Sequence, residues 1–364
     1  MNAPVHGGPG PHGRARHDFS TNANAAGPCP AARAAVRAAD ATAYPDASYR
    51  ALHAALAGFH GVAPARVLLA ASASEFVQRF TAVSQRLAPG PVLVPVHAYD
   101  DYARAAAAHG RVCLRRGDLP PERAPTLRWA ADPGSPLGQD DPPEAVWGAS
   151  GGTSGMSELS GKGETSVEGE LSGNGEMSVD GETPGVATVL DAVYAPLRLS
   201  GSSAWDAAAR DHAFVLHSPN KALGLCGVRG AYAIAPASAC WQPWLLALQA
   251  AAPSWPLGAH GVALLQAWCS APVQAWLSAS LPRLRRWKAA QGAALQALGH
   301  EVAASHTPFF CVRPRGVWPL ATFAQQGVQL RDATSFGLPG WWRVNTLAPA
   351  AQAALLRALE ASPP

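Results

Sequence analysis

The sequence has little charge, no long apolar run and no basic block. Asp, Glu, Lys and Arg make up 15% of the 364 residues, and the formal net charge is +3, so the composition does not indicate nucleic-acid binding. No apolar run approaches the roughly 20 residues that a membrane span needs. The N-terminus MNAPVHGGPGPHGRARHDFS also lacks the apolar core of a secretory signal. These absences predict a cytoplasmic protein with neither a nucleic-acid nor a membrane partner.

The cysteines and histidines are dispersed along the chain. None of the six cysteines stands in CxxC spacing with another, and the twelve histidines form no HxxxH or HxH group. In a reducing compartment this pattern is typical of separate buried thiols rather than of disulfides or a zinc site. We therefore expect no metal site.

Strands and helices alternate along the first two thirds of the chain. The segments VLLA, PVLVP, RVCLRR, TLRWAA, VATVLD and HAFVLH read as buried strands, whereas ASASEFVQRFTAVSQRL and HAYDDYARAAAAHG have helical periodicity. This order predicts an α/β fold with a mostly parallel sheet that helices cover on both faces. Beyond about Trp241 long helical patterns precede the strand-like HTPFFCVRP and the segment from VQLRDATSF to WWRVNT. We expect this part to form a smaller α+β domain.

A polar insertion interrupts the alternating pattern. Between residues 150 and 185 the composition changes to Gly, Ser, Thr and Glu, and LSGKGETSVEGE is followed at once by its near-duplicate LSGNGEMSVDGE. Such a repeat cannot bury a core, which predicts a disordered surface insertion rather than a binding segment. We therefore divide the chain into an N-terminal arm (1–45), a large domain (46–240) that contains the insertion, and a small C-terminal domain (241–364).

The stretch SPNKALGLCGVRG places a single lysine, Lys221, among small and apolar residues. This setting indicates a lysine held partly out of water, where the neutral amine that forms Schiff bases is favoured. An ordinary lysine in a glycine-rich turn is the alternative. Asp191 ends a predicted buried strand, where an unpaired carboxylate is costly, and Arg229 is expected at the same sheet edge. Pyridoxal phosphate has an aldehyde that a lysine can bind, a phosphate that an arginine can bind and a basic ring nitrogen that an aspartate can bind. The three residues together therefore suit this cofactor.

The segment ASASE, which includes Ala73 and Ser74, lies where a predicted strand passes into a predicted helix. Its small residues allow backbone N–H groups to reach a phosphate at the helix N-terminus. Alone this is a weak signal. Together with the lysine, aspartate and arginine it points to the same cofactor.

With these residues the chain resembles the fold-type I pyridoxal-phosphate enzymes, in the branch of histidinol-phosphate aminotransferase and threonine-phosphate decarboxylase. The resemblance runs from His6 to about Thr346, with the insertion as an interruption. It implies a homodimer with a large and a small domain, in which Lys221 forms the Schiff base with the cofactor. It also assigns the remaining cofactor contacts: Asp191 to the ring nitrogen; Tyr194 to ring oxygen O3′; Ala73, Ser74, Ser218 and Arg229 to the phosphate; Tyr99 to the ring face; and Tyr44 to the site of the partner subunit.

The chain departs from the pattern of that branch at three positions. Ser135 of DPGSPLG stands where an asparagine usually contacts O3′, and a serine there could need a bridging water. Asn220 replaces the usual serine or threonine before the lysine, and Cys226 replaces a small residue. These changes leave a diverged or specialised enzyme possible. Tyr102, three residues after Tyr99, is an alternative candidate for the ring-stacking aromatic.

Two further stretches favour the decarboxylase within that branch. HGG followed by DFSTNANAAGP is similar to the opening of threonine-phosphate decarboxylases, and LRDATSF is similar to a segment near their C-terminus. The resemblance implies substrate contacts from His6, Asn24, Arg331 and Arg343. Alternatives for three of them are a tail histidine, a turn-forming asparagine and a surface ion pair of Arg331. An aminotransferase of the histidinol-phosphate type remains the second hypothesis for the function, and a non-catalytic pyridoxal-phosphate-binding protein the third.

Overall fold

The computed structural model describes residues 7–9, 13–117, 124–143 and 185–361. His6 and almost all of the predicted insertion (150–185) lie outside these residues. Up to residue 191 the elements are β1 (His17–Asp18), α1 (Pro30–Ala38), α2 (Arg50–His60), β2 (Val67–Ala70), α3 (Ala73–Leu87), β3 (Val92–Val94), α4 (Asp100–Ala108), β4 (Cys113–Arg115), β5 (Leu127–Ala131) and β6 (Ala187–Asp191). The elements that follow are α5 (Ala207–Arg210), β7 (Phe214–His217), β8 (Ala231–Ile234), α6 (Gln242–Ala250), α7 (Ala259–Trp268), α8 (Ala271–Ala297), β9 (Glu301–Val302), β10 (Phe309–Arg313), α9 (Leu320–Gln325), β11 (Val328–Gln329), β12 (Arg331–Asp332), β13 (Trp342–Asn345) and α10 (Pro349–Ala361).

The larger sheet has seven strands in the order β2-β8-β7-β6-β5-β3-β4. The pairs β7·β6, β6·β5, β5·β3 and β3·β4 are parallel, whereas β8 is antiparallel to both β7 and β2. The prediction of an α/β fold with a mostly parallel sheet is therefore confirmed. Strand β8 was missed because the four apolar residues AYAI directly follow the glycine-rich stretch after Lys221 and show no alternation.

Helices cover both faces of this sheet because its central strands are largely apolar and buried on both sides. On one face Phe76 and Phe80 of α3 pack with Trp129 of β5 and with α6 residues such as Trp244. On the other face Leu52 and Leu56 of α2 pack with side chains of α7 and α8. All five residues of β5 are buried, as expected for a strand in the interior of a parallel sheet.

A second, antiparallel sheet with the strand order β12-β13-β10-β9 lies in the C-terminal part of the chain. Its apolar side chains form a separate core with α10 and with Phe19 of the N-terminal segment. Strand β1 pairs in parallel with β11, so the N-terminal segment is fixed to this part of the molecule. The residue limits of the predicted domains stay predictions. Of the helices in the described residues, none combines the length and the apolarity that a membrane crossing requires.

Candidate active site

A cavity of about 210 Å³ lies where the carboxyl ends of the parallel strands face the C-terminal sheet. Ala131 ends β5 and Asp191 ends β6, and both line this cavity. Ligand sites in open α/β sheets lie at this edge, outside the carboxyl ends of the strands. Eleven of the fourteen predicted site residues line the cavity, namely Ala73, Ser74, Tyr99, Ser135, Asp191, Tyr194, Ser218, Lys221, Arg229, Arg331 and Arg343.

Lys221 lies on the turn that connects β7 to the antiparallel β8. Asn220, next to it, ties this turn together, because its side-chain amide donates to the carbonyls of Cys226 and Val228 at 3.4 Å each. This contact gives the replacement at Asn220 a structural role. The half-buried Lys221 places its Nζ 5.4 Å from the centroid of the Tyr194 ring. Within the described part of the chain that amine makes no hydrogen bond, so it is free to react with a ligand.

Asp191 accepts hydrogen bonds on both carboxylate oxygens. The Tyr102 hydroxyl donates to Oδ2 at 2.6 Å, and the backbone N–H of Val193 donates to Oδ1 at 3.0 Å. Burial raises the pKa of Asp191, while the Tyr102 hydroxyl, the Val193 N–H and the charge of Lys221 act in the opposite direction. Sequence reasoning weighed Tyr102 only as a core or ring-stacking aromatic. Its contact with Asp191 spans 89 positions of the chain, and no local pattern signals it.

The N-terminus of α3, where the sequence predicts a phosphate site, lies at the cavity. Ser72 caps this 15-residue helix by accepting the N–H of Glu75, which leaves the N–H groups of Ala73 and Ser74 without an intrahelical acceptor. The Ser74 hydroxyl lies 3.0 Å from the hydroxyl of Tyr99. Burial raises the pKa of Tyr99, so this phenol is neutral. Arg229, which is exposed, lines the same cavity.

Two arginines face each other across the antiparallel pair β12·β13. Arg331 and Arg343 are direct register partners, and both guanidinium groups lie over the ring of Phe336, at 5.0 and 5.4 Å from its centroid. Burial lowers the pKa of each arginine, and for Arg331 the charge of Arg343 lowers it further. Two buried like charges at one point favour an anionic ligand.

Arg343 is oriented by the N-terminal segment and by the DPGSPLG turn. Its Nη2 donates to the Ser20 carbonyl at 2.6 Å and its Nη1 to the Ser135 hydroxyl at 3.3 Å. Its buried Nε has no hydrogen-bond partner among the described residues. A side chain so placed has donor capacity left for a ligand. Ser135 therefore contacts an arginine in this structure.

Asn22, which the sequence analysis did not select, lies in the cavity, whereas Asn24 does not. The amide of Asn24 donates to the Ala222 carbonyl at 3.0 Å and to the Ser280 hydroxyl at 2.8 Å, so it joins the N-terminal segment to the core. Asn22 is 2% exposed and donates to the Tyr194 hydroxyl at 3.3 Å, while its Oδ1 has no partner in the described residues. The two asparagines stand two residues apart in STNANA, and nothing local distinguishes them.

The remaining predicted residues lie outside this cavity or outside the described ranges. Tyr44 is 79% exposed and stacks on Trp255 with ring centroids 4.6 Å apart. His6 is not among the described residues, but its neighbour Gly7 lines the cavity. A Cβ on Gly7 would stand 2.1 Å from the Ser20 carbonyl oxygen. Only glycine fits there, which explains part of the HGG signature.

Comparisons with known proteins agree with this geometry. Residues 182–361 match the family model of aminotransferase class I and II. Among solved structures, L-threonine-O-3-phosphate decarboxylase from Porphyromonas gingivalis has 18% identity and a TM-score of 0.71, with 94% of this chain and 98% of that chain covered. Histidinol-phosphate aminotransferase from Sinorhizobium meliloti, solved with pyridoxal-5'-phosphate, has 18% identity and a TM-score of 0.67, with 95% and 90% covered. A mutant of Thermus thermophilus aspartate aminotransferase has 16% identity and a TM-score of 0.65, with 92% and 93% covered. No curated protein sequence matches the chain.

Residues 182–361, the C-terminal half of the chain, match the class I and II aminotransferase family, and the fold is that of the fold-type I, pyridoxal-phosphate-dependent enzymes. The match covers Asp191, Lys221, Arg229 and both cavity arginines. The described residues also fit the cofactor chemically, because the cavity presents a lysine amine, a hydrogen-bonded carboxylate and a helix N-terminus at which the N–H groups of Ala73 and Ser74 have no intrahelical acceptor. The unpartnered Oδ1 of Asn22 and Nε of Arg343 are further groups that a ligand can satisfy.

Proposed function

We propose that this enzyme decarboxylates L-threonine O-3-phosphate, a reaction of cobalamin biosynthesis. One observation carries the proposal: Arg331 and Arg343 lie directly opposite each other on neighbouring strands and face the same cavity. Like charges in such positions destabilise a sheet. The arrangement is therefore best suited to a substrate with two anionic groups, as a phosphorylated amino acid has.

In this proposal the cavity residues share the binding of the cofactor. The N–H groups of Ala73 and Ser74, together with Ser218 and Arg229, hold its phosphate. Tyr99 contacts the ring, and the phenol of Tyr194 binds the ring oxygen, beside the amide of Asn22. Asp191, as a carboxylate, favours the protonated ring nitrogen.

Bound pyridoxal phosphate supplies an electron sink for the pair left when a bond at the substrate Cα breaks. Lys221 attaches the cofactor and afterwards moves a proton at Cα through its Nζ. The arginines decide which bond breaks, because they orient the substrate. One arginine would hold the substrate phosphate while the other orients the carboxylate, so that carbon dioxide would be the group that leaves and Lys221 would return a proton to Cα.

A second candidate is an aminotransferase of the histidinol-phosphate type with a 2-oxo acid as acceptor. Asp100, at the first position of α4, also lines the cavity and is close enough to Arg331 to raise its pKa. A carboxylate there suits a substrate with a hydrogen-bond donor, such as an imidazole ring, and does not suit a second anionic group. Transamination would then require an arginine to hold the substrate carboxylate so that Lys221 removes the Cα proton.

Two assays on the purified holoenzyme separate these reactions. The first supplies L-threonine O-3-phosphate and measures carbon dioxide, and the second supplies histidinol phosphate with 2-oxoglutarate and measures glutamate. Carbon dioxide in the first assay alone supports the decarboxylase. Glutamate without carbon dioxide refutes the decarboxylase and supports the aminotransferase. Activity in neither assay refutes both substrate assignments.

We further propose that the working unit is a cytoplasmic homodimer in which Tyr44 completes the phosphate site of the partner subunit. Tyr44 and the Trp255 ring on which it stacks are both exposed within one chain, and such an exposed aromatic pair supports a contact with a second subunit. Sedimentation of wild type and of Tyr44→Phe, each with a cofactor titration, tests it. A monomeric holoenzyme, or a Tyr44→Phe variant with unchanged cofactor affinity, would refute the assignment.

A further inference from the structure

Tyr102 has two features that a core aromatic does not need. Its side chain is 1% exposed, and its ring stacks on Trp129 with centroids 4.9 Å apart and an interplanar angle of 7°. Packing alone would be served equally well by phenylalanine. The hydroxyl instead reaches the cavity edge and donates to Asp191 Oδ2 at 2.6 Å, a short, charge-assisted hydrogen bond.

The neighbouring Tyr99 makes a different contact. Its hydroxyl pairs with Ser74 at the N-terminus of α3, and its ring stands at 86° to that of Tyr102. The two tyrosines of YDDY thus serve opposite sides of the cavity, one at the helix N-terminus and one at the carboxylate. The Tyr102 ring already stacks on Trp129, so the ring of Tyr99 is the better placed of the two to contact the cofactor.

Asp191 needs a hydrogen-bond donor such as the Tyr102 hydroxyl because its buried environment disfavours the charged carboxylate. Burial raises the pKa of this carboxyl group, and the Tyr102 hydroxyl is the strongest of the groups that lower it again. The Val193 N–H binds the other oxygen. With one donor on each oxygen, the carboxylate has a fixed plane, and Asp191 lines the cavity.

We propose that Tyr102 is a positioning residue that holds the Asp191 carboxylate ionised and oriented for the ring nitrogen of bound pyridoxal phosphate. This inference rests on the proposed role of Asp191 in the cofactor site. Tyr102 acts only through Asp191, so removal of its hydroxyl weakens cofactor binding only while the carboxylate is present.

A double-mutant cycle tests this dependence. Tyr102→Phe, Asp191→Asn and the double variant are prepared as apoproteins, and the Kd for pyridoxal phosphate is measured by equilibrium dialysis. Phenylalanine preserves the stacking on Trp129, and the thermal midpoint of each apoprotein reports folding. The control is Tyr232→Phe, which removes an equally buried hydroxyl bonded to His60 and Trp268 outside the cavity. The visible absorption band of each holoprotein gives a second readout, which loss of packing alone does not change.

Tyr102→Phe should raise the Kd about tenfold, as expected for a lost hydrogen bond to a charged group. It should also change the visible band, since protonation of the ring nitrogen affects that band. In the Asp191→Asn background the same change should have no effect on Kd, and Tyr232→Phe should leave both readouts unchanged. Equal effects of Tyr102→Phe in both backgrounds, or an unchanged band, would overturn the role of Tyr102 alone. An Asp191→Asn variant that binds the cofactor as tightly as wild type would overturn the cofactor-site assignment as well.

Discussion

Replacement of Arg331 by glutamine should reduce catalysis strongly while leaving the stability of the apoprotein nearly unchanged. Arg331 is 4% exposed, donates to the Ser335 hydroxyl at 2.8 Å and contacts the Phe336 ring. Loss of these contacts costs about 1–2 kcal/mol. The substitution also removes a buried charge that directly opposes Arg343, and relief of that repulsion and desolvation is worth a similar amount. We therefore expect the free energy of unfolding to change by less than about 1 kcal/mol.

The catalytic effect has no such compensation. A hydrogen bond between a charged pair contributes about 1.5–3 kcal/mol, so kcat/KM for the phosphorylated substrate should fall by about 10- to 100-fold, mainly through KM. Arg343→Gln should differ, because it removes the donors to the Ser20 carbonyl and to Ser135 and should lower both stability and kcat/KM. Arg313→Gln is the matched control, since this exposed arginine pairs with Glu301 on the same sheet, outside the cavity.

Urea denaturation of the apoproteins and steady-state kinetics of the holoenzymes provide the two measurements. If Arg331→Gln loses as much stability as Arg343→Gln and keeps the wild-type KM, Arg331 is a structural residue. The two-arginine argument for an anionic substrate then fails.

Three further predictions concern the lysine, the N-terminal segment and a buried histidine. Borohydride reduction of the holoenzyme should place the pyridoxyl group on Lys221 in a peptide map, and Lys221→Ala should abolish turnover; a label on any other residue contradicts the site. Gly7→Ala should lower kcat/KM at least about tenfold, because a Cβ there collides with the Ser20 backbone next to Arg343. The control is Gly58→Ala, where the added Cβ meets no atom within 4 Å, and it should have no effect. Burial lowers the pKa of His60 to about 4. Between pH about 6.5 and pH 4, therefore, the unfolded chain binds this proton and the folded protein does not. The free energy of unfolding then falls as the pH is lowered, by up to about 1.4 kcal/mol per pH unit. His60→Gln should flatten that slope in urea titrations, and an unchanged slope would refute the assignment.

The fold was predictable because its elements are locally encoded. The strand at Val67–Ala70, the helix at Ala73–Leu87 and the strand at Leu127–Ala131 all lie where apolar runs and helical periodicity predicted them. Antiparallel β8 is the exception. A four-residue apolar segment beside a glycine-rich turn has no period, and its direction depends on partners far along the chain.

The site was predictable to the extent that it follows from the ends of strands. Asp191 and Lys221 follow neighbouring strands, and parallel strands bring such residues to one edge whatever the rest of the chain does. The contribution of the N-terminal segment depends instead on its path across the molecule. There the Asn24 side chain is hydrogen-bonded within the core, whereas Asn22 lines the cavity. The spacing of the two asparagines in the sequence does not predict which of them lines the cavity.

The N-terminal segment is hydrogen-bonded to cavity residues of both the large-sheet side and the C-terminal sheet. Asn22 donates to the Tyr194 hydroxyl on the large-sheet side, and the Ser20 carbonyl, two residues earlier, accepts from Arg343 on the C-terminal sheet. Asn345, which lies on β13 together with Arg343, donates its backbone N–H to the Phe19 carbonyl at 2.8 Å. Because β1 is fixed to β11, a shift of the C-terminal sheet carries this segment with it. A displacement at Arg343 would therefore move the contact of Asn22 with Tyr194, and with the roles proposed above for Arg343 and Tyr194 the binding of a substrate anion and of the cofactor would change together.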